Sequence, residues 1–149
     1  MTDSRSHPQA DLGIVDALVQ SSFVIQRMLA DVAAEHDLST TQVRLIGILR
    51  DRDLRMAQLA YLLGLSKQSV TGLVDRAEQR GLVRRVSIPV GDGRAVHVTI
   101  TEAGRRLAIA AHAHVAQQVA SVAADLSEAD RAQLSVLLSQ IAARGGAAG

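Results

Sequence analysis

Apolar side chains recur at helical spacing from about Asp11 to Glu35, with Ile14, Leu18, Ile25, Leu29 and Val32 on one side of the helix. Leu12, Val15, Val19 and Phe23 carry the apolar arc round to another side. A helix that covers one core needs a stripe about 100° wide, so the wider arc predicts burial in two directions and hints at a dimer. Ser39, with Gln42 three residues on, forms a capping-box signature that opens a short helix with Val43, Ile46 and Leu49 facing inward and an end near "RDRDLR". The segments "MAQLAYLLG" and "LSKQSVTGLVDRAEQRG" predict two more helices, and "LVRRVSI" and "AVHVTI" a pair of strands. In the second strand Val96, Val98 and Ile100 alternate with Ala95, His97 and Thr99, which predicts one buried and one exposed face. Thr101 and Glu102 read as the cap and first turn of an alanine-rich helix that runs to about Asp125, with Leu107, Ala111, Val115, Val119 and Val122 along one face. Ser127, with Asp130 at the capping-box position, opens a last helix carrying Leu134, Leu137, Leu138 and Ile141, and "ARGGAAG" is expected to fray.

This order predicts a mainly α fold with a small β-hairpin, in which a compact middle is flanked by apolar helices at both ends. At 149 residues the chain suits one domain. We expect disordered residues at 1–10, a single domain over 11–144 and a flexible tail at 145–149. Within the domain, residues 40–104 form the middle lobe, and 11–35 and 105–144 supply the flanking helices.

The middle contains a helix-turn-helix spacing with a mechanical reason at each position. Ala60 is small where two helices cross, Gly64 suits the positive φ of the turn, and Val70 anchors the second helix, with Leu59, Leu63, Leu65 and Leu73 completing the inward set. Ser66 is the expected N-cap of that second helix. Val70, Leu73, Val74 and Ala77 face inward, which turns Gln68, Thr71, Gly72, Asp75, Arg76 and Gln79 outward. Such a polar surface, free of large apolar residues, suits a helix entering a major groove, and Ser66, Lys67, Gln68, Ser69, Thr71, Gly72 and Arg76 are the expected DNA-binding residues on it. Gly72 costs roughly 1 kcal/mol of helix stability relative to Ala, so its presence there suggests close backbone approach or tolerance in a packed helix. Lys67 and Arg76 are placed to reach phosphates, and Arg80, Arg84 and Arg85 are further phosphate contacts, although Arg84 and Arg85 could instead pair with Glu78 or Glu102. A helix-turn-helix followed by a hairpin is a winged helix, whose wing tip lies over the minor groove. At that tip Gly91 and Gly93 allow a tight turn, Asp92 is close enough to orient Arg94, and Arg94 suits the negative potential of a narrow minor groove.

Charge changes the picture only when it is divided along the chain. The formal net charge is +1, but residues 44–106 hold twelve Lys/Arg against six Asp/Glu, or +6, while residues 1–43 carry −4 and 107–149 carry −1. A basic segment between acidic flanks can attract a polyanion whatever the total. The absence of cysteine excludes disulfides, zinc ribbons, iron–sulfur clusters and thiol redox sensing. No catalytic triad, phosphate loop or carboxylate pair emerges, so no enzyme, cofactor or metal site is expected. His112 and His114 lie two apart on a helix and point different ways, whereas helical metal ligands sit three or four apart; His36 and His97 show no ligand partner. The polar, Pro-interrupted start predicts no secretory signal, and no stretch approaches the roughly 20 apolar residues of a membrane span, so we expect no membrane partner and a cytoplasmic, bacterial protein that is nucleoid-associated when bound.

"LSKQSVTGLVDRAEQRGLVRR" and "DGRAVHVTITEAG" resemble the recognition helix and wing of the MarR family of bacterial winged-helix regulators. Asp92, Arg94, Thr101 and Gly104 match its D-x-R…L-T-x-x-G pattern, with Ile100 in place of the leucine. The resemblance spans about Ile14 to Ile141. It implies a transcriptional regulator, most simply a repressor, that binds a pseudopalindromic double-stranded DNA operator as an obligate homodimer. The terminal helices would join that dimer, with Ile14, Leu18, Ile25, Val115, Val119, Leu134, Leu138 and Ile141 at the contact. Arg94 would be the minor-groove arginine, and a small ligand between the lobes would release or retune binding. With one Phe, one Tyr and no Trp, aliphatic walls and an arginine would hold a phenolic or lipophilic effector. The competing reading is a winged-helix protein-interaction module or antagonist that binds DNA weakly, which would expose apolar anchors on the recognition face.

Overall fold

The computed structural model describes residues 11–145; the tail expected at 1–10, and residues 146–149 of the one expected at 145–149, lie outside the described residues. Six helices and three strands follow in the order α1 (Gly13–Glu35), α2 (Thr40–Leu49), β1 (Leu54–Arg55), α3 (Met56–Leu63), α4 (Lys67–Gln79), β2 (Val83–Val90), β3 (Gly93–Ile100), α5 (Glu102–Val122) and α6 (Glu128–Gly145). The capping box at Ser39 forms as the spacing predicts: its Oγ accepts from the Gln42 N–H at 3.1 Å and Gln42 Oε1 accepts from the Ser39 N–H at 2.9 Å. Gly64 closes α3 with φ +66°, so that the Leu65 N–H reaches the Ala60 carbonyl at 2.9 Å and the chain turns into α4.

The core gathers Val32 of α1, Leu45, Ile46 and Leu49 of α2, Leu59 of α3, Val70, Leu73 and Val74 of α4, and Val83 and Val98 of the sheet, all fully buried. It sits in the middle lobe, with α2 packed against α1, α5, α3 and β3. α1 is divided lengthwise: Met28, Val32 and Ala33 are buried near its C-terminus, whereas Ile14, Val15 and Phe23 stand exposed. α6 buries no residue against the rest of the chain, and Leu134, Val136, Leu137, Leu138 and Ile141 are exposed along it. Two of its attachments are polar. Arg131 donates to the carbonyls of Ala123 and Ala124 at the end of α5, at 3.1 and 3.0 Å, and Tyr61 Oη of α3 donates to the Gly145 carbonyl at 3.1 Å. The expected fraying at 143–149 is therefore corrected for 143–145, which are helical. No helix among the described residues is long and apolar enough to cross a membrane.

The sheet departs from the sequence reading in three ways. Its order is β1-β3-β2, and the two-residue β1, read as a helix end and loop, pairs Leu54 with Val98. Two residues are too few to show a period, so only pairing reveals the strand. The hairpin is also longer than "LVRRVSI" and "AVHVTI" imply: β2 and β3 run eight residues each and pair to Val90↔Gly93. Finally, the alternation along β3 fails at both ends. Val96 is 49% exposed because the hairpin projects beyond the helices there, and Thr99, expected outside, is buried with its Oγ1 accepting from Arg84 Nε at 3.3 Å.

The hairpin enters α5 through a close backbone contact. Thr101 caps α5, its Oγ1 accepting from the Gly104 N–H at 3.0 Å and donating to the Gly81 carbonyl at 2.6 Å, while its own N–H donates to the Leu82 carbonyl at 3.0 Å. A Cβ on Gly104 would stand 2.0 Å from the Leu82 carbonyl oxygen and 2.9 Å from Ile100 Cγ1. Both neighbours are fixed, one as backbone and one in the core, so the helix itself would have to move. We predict that Gly104→Ala lowers folding stability by about 3 kcal/mol, the upper range for overpacking, as read by thermal or urea unfolding. An unchanged midpoint would show that this corner yields without cost.

Candidate nucleic-acid interface

α4 presents the two faces its spacing predicts. Val70, Leu73, Val74 and Ala77 are buried, and Lys67, Gln68, Ser69, Thr71, Asp75, Arg76 and Gln79 are exposed. Ser66 caps the helix, its Oγ accepting from the Ser69 N–H at 3.1 Å and donating to Ser69 Oγ at 2.8 Å. The N-terminal end of α4 therefore combines the positive end of the helix dipole with Lys67 and three hydroxyl or amide side chains, groups able to meet phosphates and base edges. Thr71 Oγ1 donates to the Lys67 carbonyl at 2.9 Å and has to release that bond to donate elsewhere. Gly72 is half-buried, and a Cβ there would come within 3.3 Å of Arg76 Nη1. The Arg76 guanidinium thus lies over the glycine, and its movement would uncover backbone.

The wing stands beside this face. Gly91, at φ +56°, makes the turn with Asp92, whereas Gly93 is the first residue of β3 and takes no positive φ, so only one of the two glycines shapes the tip by its backbone freedom. Arg94 pairs with Pro89 across the hairpin and is exposed, as is Asp92. Among the described residues the two side chains make no hydrogen bond or ion pair with each other, which corrects the expectation that Asp92 orients Arg94. The Arg94 side chain stands exposed at the tip.

The remaining cations divide by what already holds them. Arg80 donates to the Asp37 carbonyl at the α1–α2 turn, and Arg84 to Thr99. Arg85 binds two carboxylates of α4 at once: Nη2 to Asp75 at 2.6 Å and Nη1 to Glu78 at 2.5 Å, while its N–H donates to Glu78 Oε1 at 3.0 Å. Partial burial pulls the Arg85 pKa down, but the hydrogen bonds and charges of Asp75 and Glu78 outweigh it and raise the pKa above its ordinary value. Of the two partners the sequence left open, Glu78 is the one engaged; Glu102 pairs instead with Arg106 at 3.3 Å. Asp75, read as one more outward polar group, joins it. Seven residues of separation along the chain hide this contact, because the register of β2 against α4 creates it. Arg85 therefore links the wing to the recognition helix and is occupied in doing so.

Behind the α4 and wing surface, a cavity of about 230 Å³ opens where α1, α2 and α5 meet. Leu29, Val43, Ala108, Ala111 and Val115 form apolar walls, with Arg44, Arg50 and His112 among the lining. Val115, expected at a dimer contact, is thus partly buried against the core and faces this cavity, whereas Ile14, Leu18, Ile25, Val119, Leu134, Leu138 and Ile141 are all exposed. His114, the other helical histidine, meets the carboxylate of Glu35 through Nδ1 and Gln118 Nε2 through Nε2, tying α5 to α1. Among the described residues no three His, Asp or Glu side chains stand together as metal ligands would.

A MarR family model matches residues 36–95, from the α1–α2 turn to the wing tip. The homoprotocatechuate degradative operon repressor of Escherichia coli is 27% identical over 130 residues, covering 87% of each chain. The chain is similar to the MarR family over its middle lobe. The HTH-type transcriptional regulator PecS of Dickeya dadantii is 26% identical over 132 residues, covering 86% of this chain and 79% of PecS. The fold matches that of NadR in complex with 4-hydroxyphenylacetate with a TM-score of 0.74 at 24% identity, over 95% of this chain and 98% of NadR. In this chain Arg85 is the cation that aligns helix and wing. We predict that Arg85→Ala lowers stability by about 1 kcal/mol, as expected of a part-exposed ion pair, yet weakens DNA binding more than that figure suggests, since it leaves Asp75 and Glu78 unbalanced beside the phosphates. Comparing the unfolding midpoint with the gel-shift affinity of the same variant checks this; equal losses in both would assign Arg85 to stability alone.

Proposed function

We propose that this chain is a MarR-like DNA-binding regulator that acts as a homodimeric repressor on a pseudopalindromic operator and is released by a small phenolic or lipophilic acid. The carrying observation is the pairing of surfaces on one lobe: the inner face of α4 is fully buried, its outer face is polar, and the exposed Arg94 stands on the adjacent wing. A protein-interaction module would present apolar anchors on α4, and among its described residues no large hydrophobic side chain is exposed. In this reading Ser66, Lys67, Gln68, Ser69, Thr71, Gly72 and Arg76 face the major groove, Arg94 enters the minor groove, and Arg80 and Arg84 reach phosphates only by giving up their present partners. The exposed apolar residues of α1, α5 and α6 support a dimer, since a surface carrying Ile14, Phe23, Leu134 and Leu138 together is unlike that of a solitary soluble chain. The lobes over 11–35 with 105–144 and over 40–104 then serve dimerisation and DNA binding, in a cytoplasmic protein that works by binding and not by catalysis.

The effector reading rests on the cavity among α1, α2 and α5. At about 230 Å³ it is smaller than a drug-sized pocket and suits a single ring or a short acyl chain, with Arg44 available to an acidic group and Arg50 already engaged by Asp51. Its likeness in fold to NadR, which is seen with 4-hydroxyphenylacetate, supports an acid of that size.

Gel shifts with the DNA upstream of the gene test the DNA reading. Arg94→Ala should weaken binding by about tenfold, most at operators with A·T-rich flanks, whereas Lys67→Ala should lower affinity on every sequence and reduce the salt slope by about 1. Losses equal on all flanks would count against minor-groove entry. Half-sites should lie about one helical turn apart. The double substitution Leu134→Arg, Leu138→Arg should produce monomers in sedimentation and abolish operator binding; a folded dimer that persists would remove α6 from the interface.

A further inference from the structure

α6 is attached to its own chain near its ends. Arg131, close to its start, holds the carbonyls of Ala123 and Ala124, and at the far end the Gly145 carbonyl accepts from Tyr61 Oη of α3 at 3.1 Å. Between these points no residue of α6 is buried, and an open groove of about 660 Å³ runs between it and α5, lined by Val119, Leu126, Leu134 and Leu138 among others. The two attachments differ in what they join. Arg131 only spans the turn from α5, whereas Tyr61 reaches from the helix-turn-helix to the end of α6. Among the described residues no other hydrogen bond or ion pair joins α6 to residues 40–104.

Tyr61 stands where the position of α6 can be passed to α4. It lies in the last turn of α3, and its own carbonyl accepts from the Gly64 N–H at 3.1 Å, within the turn that leads into α4. Leu59 and Leu63 of α3 are buried in the same core as Val70, Leu73 and Val74 of α4, so the two helices form one body. The Tyr61 side chain itself is 42% exposed, and the core does not depend on it. Gly145 is the last residue of α6, where a helix leaves its final carbonyls without intrahelical partners, so the phenol satisfies an orphan acceptor.

We propose that Tyr61 determines operator spacing: its bond to Gly145 holds each helix-turn-helix in place against α6 and so fixes the separation of half-sites that the dimer accepts. The proposal rests on the homodimer and operator reading above, in which α6 lies at the subunit contact. Tyr61 meets no base or phosphate in this role; it is a positioning residue that acts through α4. An operator whose half-sites stand too close or too far apart draws α4 from its place, and the bond in at least one protomer has to open. One neutral hydrogen bond is worth about fivefold in affinity. A chain without the hydroxyl has no such bond to open, so it discriminates less between spacings while reading each half-site as before.

Gel shifts on the full chain compare the upstream operator with versions whose half-sites are moved together or apart by one or two base pairs, and with a single half-site. Tyr61→Phe removes only the hydroxyl. It should cut the preference of the wild-type chain for its best spacing by about fivefold, leave affinity for the single half-site unchanged, and keep both the melting temperature and the dimer in sedimentation. Tyr61→Leu should flatten the spacing profile to the same extent, which separates the hydroxyl from the ring. Two results would overturn the proposal while leaving the dimeric regulator intact: a spacing profile that Tyr61→Phe does not change, or an equal loss at every spacing and at the single half-site with a lower melting temperature, which would assign Tyr61 to folding. A wild-type chain that binds no operator, or binds as a monomer, removes the homodimer reading and this inference with it.

Discussion

The contact of Gly104 with the Leu82 carbonyl is the constraint on which the arrangement of the two lobes depends. It brings the first turn of α5 against the corner where α4 ends and β2 begins, closer than any side chain permits. Thr101 secures the same corner by capping α5 and bonding the Gly81 carbonyl, so one residue serves a helix end and a tertiary junction together. The helix that leads to the exposed apolar faces of α5 and α6 is thereby joined rigidly to the recognition helix and the wing. That junction is made by backbone contacts and a cap, so it leaves little freedom between α5 and the α4–β2 corner.

Electrostatics is organised around the same frame. The basic middle of the chain is not a uniform cloud of charge; its arginines are assigned. Arg85 is committed to Asp75 and Glu78 and fixes the wing against α4, Arg80 and Arg84 are held by a carbonyl and a hydroxyl, and Arg94 extends from the wing tip. Arg44, Arg50 and Arg52 lie on and beyond α2, at the mouth of the cavity. Cations near the recognition surface and cations near the cavity are thus separated by the core, so an anion bound at one set need not compete directly for the other. α2 and α5, which both line the cavity, are also packed against the rest of the middle lobe.

Much of this was legible in the chain. Helix positions followed from the 3.6-residue period and from the caps Ser39, Ser66, Thr101 and Ser127, because a cap is a bond between residues two or three apart and its partners are written side by side. The split of α4 into buried and polar faces was legible for the same reason. What escaped were contacts between distant segments. β1 has no period to read; the reach of the hairpin and the exposure of Val96 depend on where the helices stop covering the sheet; and the union of Arg85 with Asp75 and Glu78 depends on the register of a strand against a helix.

By itself, then, the sequence determined the local elements, the inward face of each helix, the MarR resemblance and the kinds of residue available to meet DNA, since each of these is set by neighbours within one or two turns. The tertiary structure alone decided which arginines are occupied by a partner and that Val115 turns to a cavity rather than outward. Those outcomes rest on the packing of α1, α2 and α5 and on strand register, and no local rule carries information across such separations.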